Sequence, residues 1–468
     1  MEPYKTSRQW LGIGIGALML AGFLSFVLVI GRAPLIHHLI TDPQFARRCL
    51  VIHVNLALFV WLSAVLASLY TLLPGYRSKR GGTLEPPHLA MMGIALFIIS
   101  GMFPAAEPIM SNYIPVLDHP LFFIGMGLVL LALVVTYLQA HPFRVRAIVD
   151  RDHPILPVSV QHGLRWTAIA FLLAVMTLII TWWRLSNQLD AAFYYDYLFW
   201  GAGHVLQSVN VMGMVNVWLI LFSRLPGRPW LSLRLTNSLF ALLWLPLLYA
   251  PYIAYHAPNT GFYYSQFTRL MQFGIFPGVL GFLFVMGYAY FRRVSAADRR
   301  LFWQQTPALG FLASITLILT GFLLGAFIRT SNTLVPAHYH AAIGSITVIY
   351  MVMVYQLLPF FGFPVLSRLL QRMASWQPVV FGFGQTIFAV GFAMAGLTRK
   401  VYGAEQQIHT LKEYVGMGLM GLGGLMAIAG GILFIWIVTT AVSPAVPLFI
   451  IKKRRALWKA IKSIPFRS

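Results

Sequence analysis

The stretch Val335-Pro336-Ala337-His338-Tyr339-His340-Ala341-Ala342 lies near the start of a long apolar run at residues 334–360. A run of this length can cross roughly 30 Å of hydrocarbon as a helix that rises about 1.5 Å per residue. Two histidines two positions apart on a helix point about 200° away from each other, because each residue turns by about 100°. They cannot bind one ion from one face, but they can serve two centres on opposite flanks of the helix.

Similar apolar runs fill most of the chain. Of its 468 residues, 59% are hydrophobic and only 10% are charged, which excludes a soluble globular protein. The pattern predicts an all-α integral membrane protein, organised as a single domain over residues 1–468 with twelve transmembrane helices. The predicted spans are 10–31, 49–74, 88–105, 120–140, 164–183, 194–222, 237–257, 265–291, 305–328, 334–360, 378–397 and 414–442.

Basic residues in the loops predict the orientation. The net charge is +22, and the surplus lies in short loops between apolar runs, which indicates contact with membrane lipid and argues against a nucleic-acid partner. If successive loops alternate between the two sides, the side that holds the N- and C-termini carries 25 of the 34 Lys and Arg residues and the other carries nine. Both termini are therefore expected to be cytoplasmic.

Cysteine and acidic residues limit the chemistry. The chain has a single cysteine, Cys49, so it can form neither a thiolate metal cluster nor a CxxCH haem attachment. All twelve acidic residues fall in loops or at the ends of the predicted helices. We therefore expect no proton pumping through a buried carboxylate.

Five of the thirteen histidines fall inside apolar runs, where an ionisable group is costly and marks a candidate functional site. The predicted topology places all five in the outer half of the membrane, at depths of roughly 3–15 Å. Unrelated histidines in the membrane core would not be expected to lie at a common depth. The five are His53, His204, His256, His338 and His340.

On these residues the sequence resembles the catalytic subunit I of the haem-copper oxidase superfamily, which includes the nitric oxide reductases and the C-family cytochrome oxidases. The segment Arg48 to Leu56 resembles the part of the second helix that carries a low-spin haem ligand. The His-X-His segment is similar to the two-haem helix of the superfamily. The resemblance implies two haems of b type, with His53 and His340 as axial ligands of the low-spin haem and His338 as the ligand of the high-spin haem.

Two further segments extend the resemblance. Trp200-Gly201-Ala202-Gly203-His204 resembles the sixth-helix segment whose histidine binds the distal metal. In the loop after the eleventh predicted helix, Arg399 and Lys400 resemble the basic pair that holds the haem propionates. Charge-assisted hydrogen bonds to carboxylates are a sufficient physical reason for such a pair, although a plain solvated loop is an equal alternative.

The expected distal site is incomplete. Family members carry two adjacent histidines in the seventh helix, and this chain has Tyr252 and Ile253 at the matching place. Three- and four-residue spacing puts Tyr249, Tyr252 and His256 on one face of that helix. This leaves two interpretations: a rearranged metal site that uses His204 and His256, or a neutral hydrogen-bonded pocket in which His204 and Tyr252 are the catalytic candidates. Whether copper or non-haem iron is bound stays open.

The resemblance implies a membrane oxidoreductase of a bacterial or archaeal cytoplasmic membrane. Electrons would come from a c-type cytochrome or a cupredoxin-like donor subunit, pass from the low-spin to the high-spin haem, and reduce O2 or NO. The alternative is a non-catalytic haem subunit, for electron transfer or gas binding, that has lost the distal copper. A third class is a transporter without a cofactor, which would be indicated if the purified protein were colourless.

Overall fold

The fold is built almost wholly from helices. The computed structural model describes residues 4–30, 42–76, 85–111, 113–143, 148–186, 188–224, 231–303, 305–329, 332–363, 367–396 and 410–443. Within these ranges the α-helices, numbered in chain order, are α1 (Lys5–Ile30), α2 (Pro43–Val54), α3 (Trp61–Tyr70), α4 (Pro86–Ser100), α5 (Pro120–Leu138), α6 (Val158–Arg184), α7 (Ala191–Phe222), α8 (Leu233–Trp244), α9 (Ala250–His256), α10 (Gly261–Arg293), α11 (Ala296–Trp303), α12 (Thr306–Ala326), α13 (Leu334–Phe360), α14 (Arg368–Ala395) and α15 (Leu411–Val442).

Eleven helical segments among the described residues are long and apolar enough to cross a membrane. At the predicted third span, 88–105, the structure has the shorter apolar helix α4, which ends at Ser100. Pro104 follows closely and cannot continue a helix. The chain then forms an antiparallel hairpin of two strands, β1 (Glu107–Ile109) and β2 (Val116–Asp118), which the sequence pattern did not predict. The all-α membrane class is confirmed, whereas the twelfth crossing, the single-domain organisation and the cytoplasmic termini stay predictions.

The second span is a helix with an internal π-helical segment. Between α2 and α3, residues Asn55–Val60 adopt π geometry, so the span runs unbroken from Gln44 to Tyr70. The amide nitrogen of Asn55 donates to the carbonyl oxygen of Val51, at 2.9 Å, and to that of Pro115, at 2.8 Å. This buried side chain therefore ties the second span to the outer hairpin.

The predicted seventh span is interrupted. A 3₁₀ segment, Leu245–Tyr249, separates α8 from α9, and prolines stand at 246 and 251. Each proline removes a backbone N–H donor, so a continuous α-helical ladder cannot form there. Because a 3₁₀ turn advances about 120° per residue instead of about 100°, five such residues rotate the following helix by roughly 100°.

A seam of glycines lets α14 and α15 approach closely. A Cβ atom added to Gly391 would lie 2.4 Å from the backbone nitrogen of Met420, and one added to Gly423 would lie 2.3 Å from that of Phe388. Gly384, Gly416 and Gly430 meet the opposite backbone in the same way. Without a hydrophobic effect between helices in lipid, such close backbone packing is a main source of helix association.

Substituting Gly391→Ala should therefore destabilise the α14–α15 pair, by about 1–3 kcal/mol, the usual cost of overpacking. The matched control is Gly418→Ala on the exposed face of α15, where an added Cβ meets nothing within 4 Å. Thermal unfolding in detergent should show a lower midpoint for the first variant and an unchanged or slightly higher one for the control. Equal thermal midpoints for the two variants would contradict close packing of α14 and α15 at Gly391.

The loop before α6 is organised by His153. Its Nδ1 accepts backbone N–H bonds from Ile155, at 3.1 Å, and Leu156, at 2.9 Å, while its Nε2 donates to the carbonyl oxygen of Leu72, at 3.1 Å. These bonds require a neutral ring with its proton on Nε2. Burial lowers the pKa of His153, although the nearby Asp150 carboxylate and the bond to Leu72 oppose that shift.

The stability of this loop should therefore depend on pH. The folded pKa of His153 lies below the ordinary value of 6.5, so on acidification the unfolded chain takes up a proton first. The stabilisation is complete above about pH 6.5 and is lost as the pH falls towards the folded pKa. Thermal unfolding of His153→Ala should show a lower midpoint at pH 7 and a weaker fall of that midpoint below pH 6.5 than the wild type. An identical pH dependence in both proteins would refute this role.

Candidate functional site

His338 lies on the flank of α13 that contacts α12. Its Nδ1 donates to the carbonyl oxygen of Gly321, at 2.7 Å. The ring also lies against Gly325, because a Cβ atom added there would come within 2.8 Å of Nδ1. Two glycines one helical turn apart thus make the surface of α12 that receives this imidazole.

His340 lies on the other flank of the same helix. Its ring contacts two phenylalanines of α14, edge-on to Phe388 with centroids 4.9 Å apart and stacked on Phe392 at 5.7 Å. The two histidines therefore face different neighbouring helices, as their spacing predicts.

His53 is held by the first span. Its Nδ1 donates to the carbonyl oxygen of Ala21 on α1, at 2.7 Å. The π-helical segment begins two residues later, and the Asn55 anchor fixes this end of α2 against the outer hairpin. Such π segments occur frequently at functional sites.

His53, His338 and His204 share one hydrogen-bonding pattern. In His204 the acceptor is the carbonyl oxygen of Trp200, at 2.7 Å. Because a carbonyl oxygen only accepts, each Nδ1 is assigned the proton, and Nε2 is the unprotonated nitrogen of a neutral ring. Metal-binding histidines are oriented by the same bond between their second ring nitrogen and a backbone carbonyl. The bond therefore fixes the ring orientation and the tautomer of all three imidazoles.

The two helices that carry His53 and His338 are partly exposed near these histidines and buried further along the chain. On the second span His53, Val54, Ala57 and Leu58 are partly exposed, whereas residues 59–73 are buried. On α13 His338, His340, Ala342 and Ile343 are partly exposed, whereas residues 344–355 are buried. The described residues therefore do not fully cover His53, His338 and His340.

His204 lies in an aromatic enclosure. It is only 4% exposed, and its ring centroid lies 4.6 Å from those of Tyr113 and Trp200 and 5.9 Å from that of Phe267. Tyr113 comes from the loop between β1 and β2, and its hydroxyl donates to the Met271 sulfur, at 3.5 Å.

Tyr249, Tyr252 and His256 share a face, as their spacing predicts, with ring centroids 5.4 Å apart for the first pair and 4.4 Å for the second. That face is exposed: Tyr252 is 53% accessible, and no ring contact joins Tyr252 or His256 to His204. The 3₁₀ segment turns α9 away from the phase of an unbroken helix. A site that combines Tyr252 or His256 with His204 stays a prediction.

Within the described ranges, no group of three or more His, Cys, Asp or Glu side chains can hold a metal ion. His204 therefore does not belong to a group of three such side chains there. Arg399 and Lys400 lie outside the described residues. Sequence reasoning missed Tyr113, which belongs to no motif, and gave no role to Asn55, although Asn55 lies in the segment Arg48 to Leu56. Only the position of Tyr113 near the predicted outer surface could have drawn attention to it.

A comparison with solved structures finds a haem-copper terminal oxidase dimer determined by cryo-electron microscopy, with a TM-score of 0.72 and 14% sequence identity. The alignment covers 94% of this chain and 85% of that chain. At this identity the likeness establishes the fold alone. The chain is an integral membrane protein with the fold of a haem-copper terminal oxidase.

The sequence comparisons give relatives but no activity. An uncharacterized protein of Rickettsia prowazekii (strain Madrid E) is 25% identical over 495 residues, covering 92% of this chain and 94% of that protein. An uncharacterized protein of Aquifex aeolicus (strain VF5) is 27% identical over 339 residues, covering 72% and 81%. No family model matches the chain.

Proposed function

We propose that this chain is a two-haem membrane oxidoreductase, in which electrons pass from a low-spin haem to a high-spin haem that reduces O2, with NO as the second substrate. His53 and His340 are the proposed ligands of the low-spin iron, and His338 is the proposed ligand of the high-spin iron. The proposal draws on the shared fold and on the chemistry of these side chains.

One observation carries the proposal: α13 presents His338 towards α12 and His340 towards α14. A helix that offers imidazoles from both flanks suits two separate centres held a short distance apart. The carbonyl anchors on His53 and His338 set the ring orientation and the protonation state that axial ligation requires. His53, His338 and His340 are each partly exposed, which is compatible with a group bound beside them.

Haem, when bound, supplies the one-electron and diatomic-gas chemistry. The chain itself provides ligand nitrogens with their proton held on Nδ1, and aromatic walls such as Phe388 and Phe392 that exclude water beside His340. Arg399 and Lys400 are proposed to hold propionates at the outer surface, where charge-assisted bonds to carboxylates are strong.

The proposed partners lie on the outer side of the membrane. A c-type cytochrome or a cupredoxin-like subunit is the proposed donor, since the histidines occupy the outer half of the predicted topology. The proposed location is the cytoplasmic membrane of a bacterium or an archaeon.

A second candidate function is a non-catalytic haem subunit for electron transfer or gas binding. The exposure of Tyr252 and His256 favours it, because the residues expected to complete a distal metal site face outward. Gas consumption by the purified protein separates the two: steady O2 or NO reduction supports the oxidoreductase, and bound haem without turnover supports the second function.

The ligand assignment predicts distinct spectra for single variants. His338→Ala should abolish the carbon monoxide-reactive signal of the reduced protein and leave the low-spin signal, because only the high-spin iron loses its ligand. His53→Ala should abolish the low-spin signal and leave the carbon monoxide-reactive signal. Absorption spectra of the reduced protein, before and after carbon monoxide, measure both.

The control variant is His256→Ala, which removes an exposed histidine from α9 and should change neither signal. Colourless wild-type protein would overturn the haem proposal, and loss of both signals in each ligand variant would overturn the division into two separate centres.

Gly325→Ala should disturb the high-spin centre without touching a ligand. The added Cβ would lie 2.8 Å from Nδ1 of His338, so the imidazole must shift away from its Gly321 anchor. We expect a weakened or shifted carbon monoxide difference spectrum and an intact low-spin signal. Gly287→Ala on α10, where an added Cβ meets nothing within 4 Å, is the matched control; a wild-type spectrum in Gly325→Ala would contradict the anchoring role.

A further inference from the structure

The ring of Tyr113 is built into the surface of α7 beside His204. A Cβ atom added to Gly203 would lie 2.0 Å from Cδ1 of Tyr113, so only glycine allows the ring this position. The same ring lies 4.6 Å from His204 and 5.7 Å from Trp200. A residue of the outer loop thus closes one side of the enclosure around His204.

The enclosure contains few polar groups, and these groups do not make up the ligand set of a metal site. The His204 Nδ1 is bonded to Trp200, and its unprotonated Nε2 makes no hydrogen bond to a described residue. The indole N–H of Trp200 is also buried without a partner among the described residues. An indole N–H is a donor only, so it cannot complete a metal site with a single imidazole nitrogen; a stable copper or non-haem iron site needs further nitrogen, oxygen or sulfur ligands.

We propose that His204, Trp200 and Tyr113 form a metal-free pocket, and that Tyr113 is the positioning residue that holds the His204 imidazole in it. This inference rests on the proposed function only in placing the pocket beside the high-spin haem. The absence of a distal metal and the positioning by Tyr113 both follow from the side chains of this chain.

The first test is a copper titration of the purified full-length protein, followed by metal analysis of the wild type and His204→Ala after desalting. We expect no stoichiometric copper or non-haem iron in either protein. One copper or non-haem iron per chain in the wild type, lost in His204→Ala, overturns the metal-free pocket even if both haems are present. Failure of the proposed function looks different, because the protein then contains no haem iron.

The second test separates positioning from plain packing. Gly203→Ala should displace Tyr113, shift the C–O stretching frequency of the carbonyl complex and lower the thermal midpoint, whereas Gly127→Ala, with nothing within 4 Å of the added Cβ, should leave both unchanged. Removing the ring in the double variant Gly203→Ala with Tyr113→Ala should restore the midpoint but not the frequency, since His204 then lacks its support. If Gly203→Ala has the thermal midpoint of the wild type, the contact between Gly203 and the Tyr113 ring is overturned, whether or not haem is bound. A lowered midpoint with a wild-type frequency, or full restoration of the frequency in the double variant, overturns the positioning role.

Discussion

A hydrogen bond from an imidazole N–H to a helix carbonyl is the interaction on which the rest of the site depends. His338 makes it to Gly321, His53 to Ala21 and His204 to Trp200, each at 2.7 Å. In the hydrocarbon of a membrane a polar ring must find a partner inside the protein, and a helix carbonyl keeps a lone pair for it after accepting its own backbone bond. The bond satisfies one nitrogen, fixes the tautomer and directs the other nitrogen away from the supporting helix.

Close helix approach makes the bond between His338 and Gly321 possible, whereas His204 bonds to a carbonyl of its own helix. His338 reaches the backbone of α12 because Gly321 and Gly325 have no side chains; the added Cβ atoms would lie 3.1 Å from the Ala342 nitrogen and 2.8 Å from the His338 ring. The glycine seam between α14 and α15 does the same for the helix that carries Phe388, whose ring contacts His340. Small residues thus set the spacing, and the spacing decides which carbonyl or ring each histidine meets.

Helical periodicity predicted where His338 and His340 lie. It could not predict the positions of residues that depend on irregular backbone. The opposite flanks of His338 and His340 follow from the constant turn of an α-helix, and the structure places them so. Tyr252 and His256 lie beyond a 3₁₀ segment, where that constant turn no longer applies, and both are exposed. Tyr113 was missed because its position depends on a hairpin and on the surface of Gly203, neither of which leaves a periodic signal.

Buried hydroxyl and indole groups of α7, α12 and α13 form an uncharged hydrogen-bond network. Ser314 and Ser345 bond to each other across α12 and α13, and Trp218 donates to Ser314, at 3.0 Å. The acidic residues that the structure describes lie instead near helix ends, in loops and in the two short strands; on the predicted outer side, Asp118 and Asp196 accept bonds from the hydroxyls of nearby tyrosines. A serine hydroxyl and an indole N–H carry no charge near neutral pH. The network therefore binds α7, α12 and α13 together without placing a charge among them.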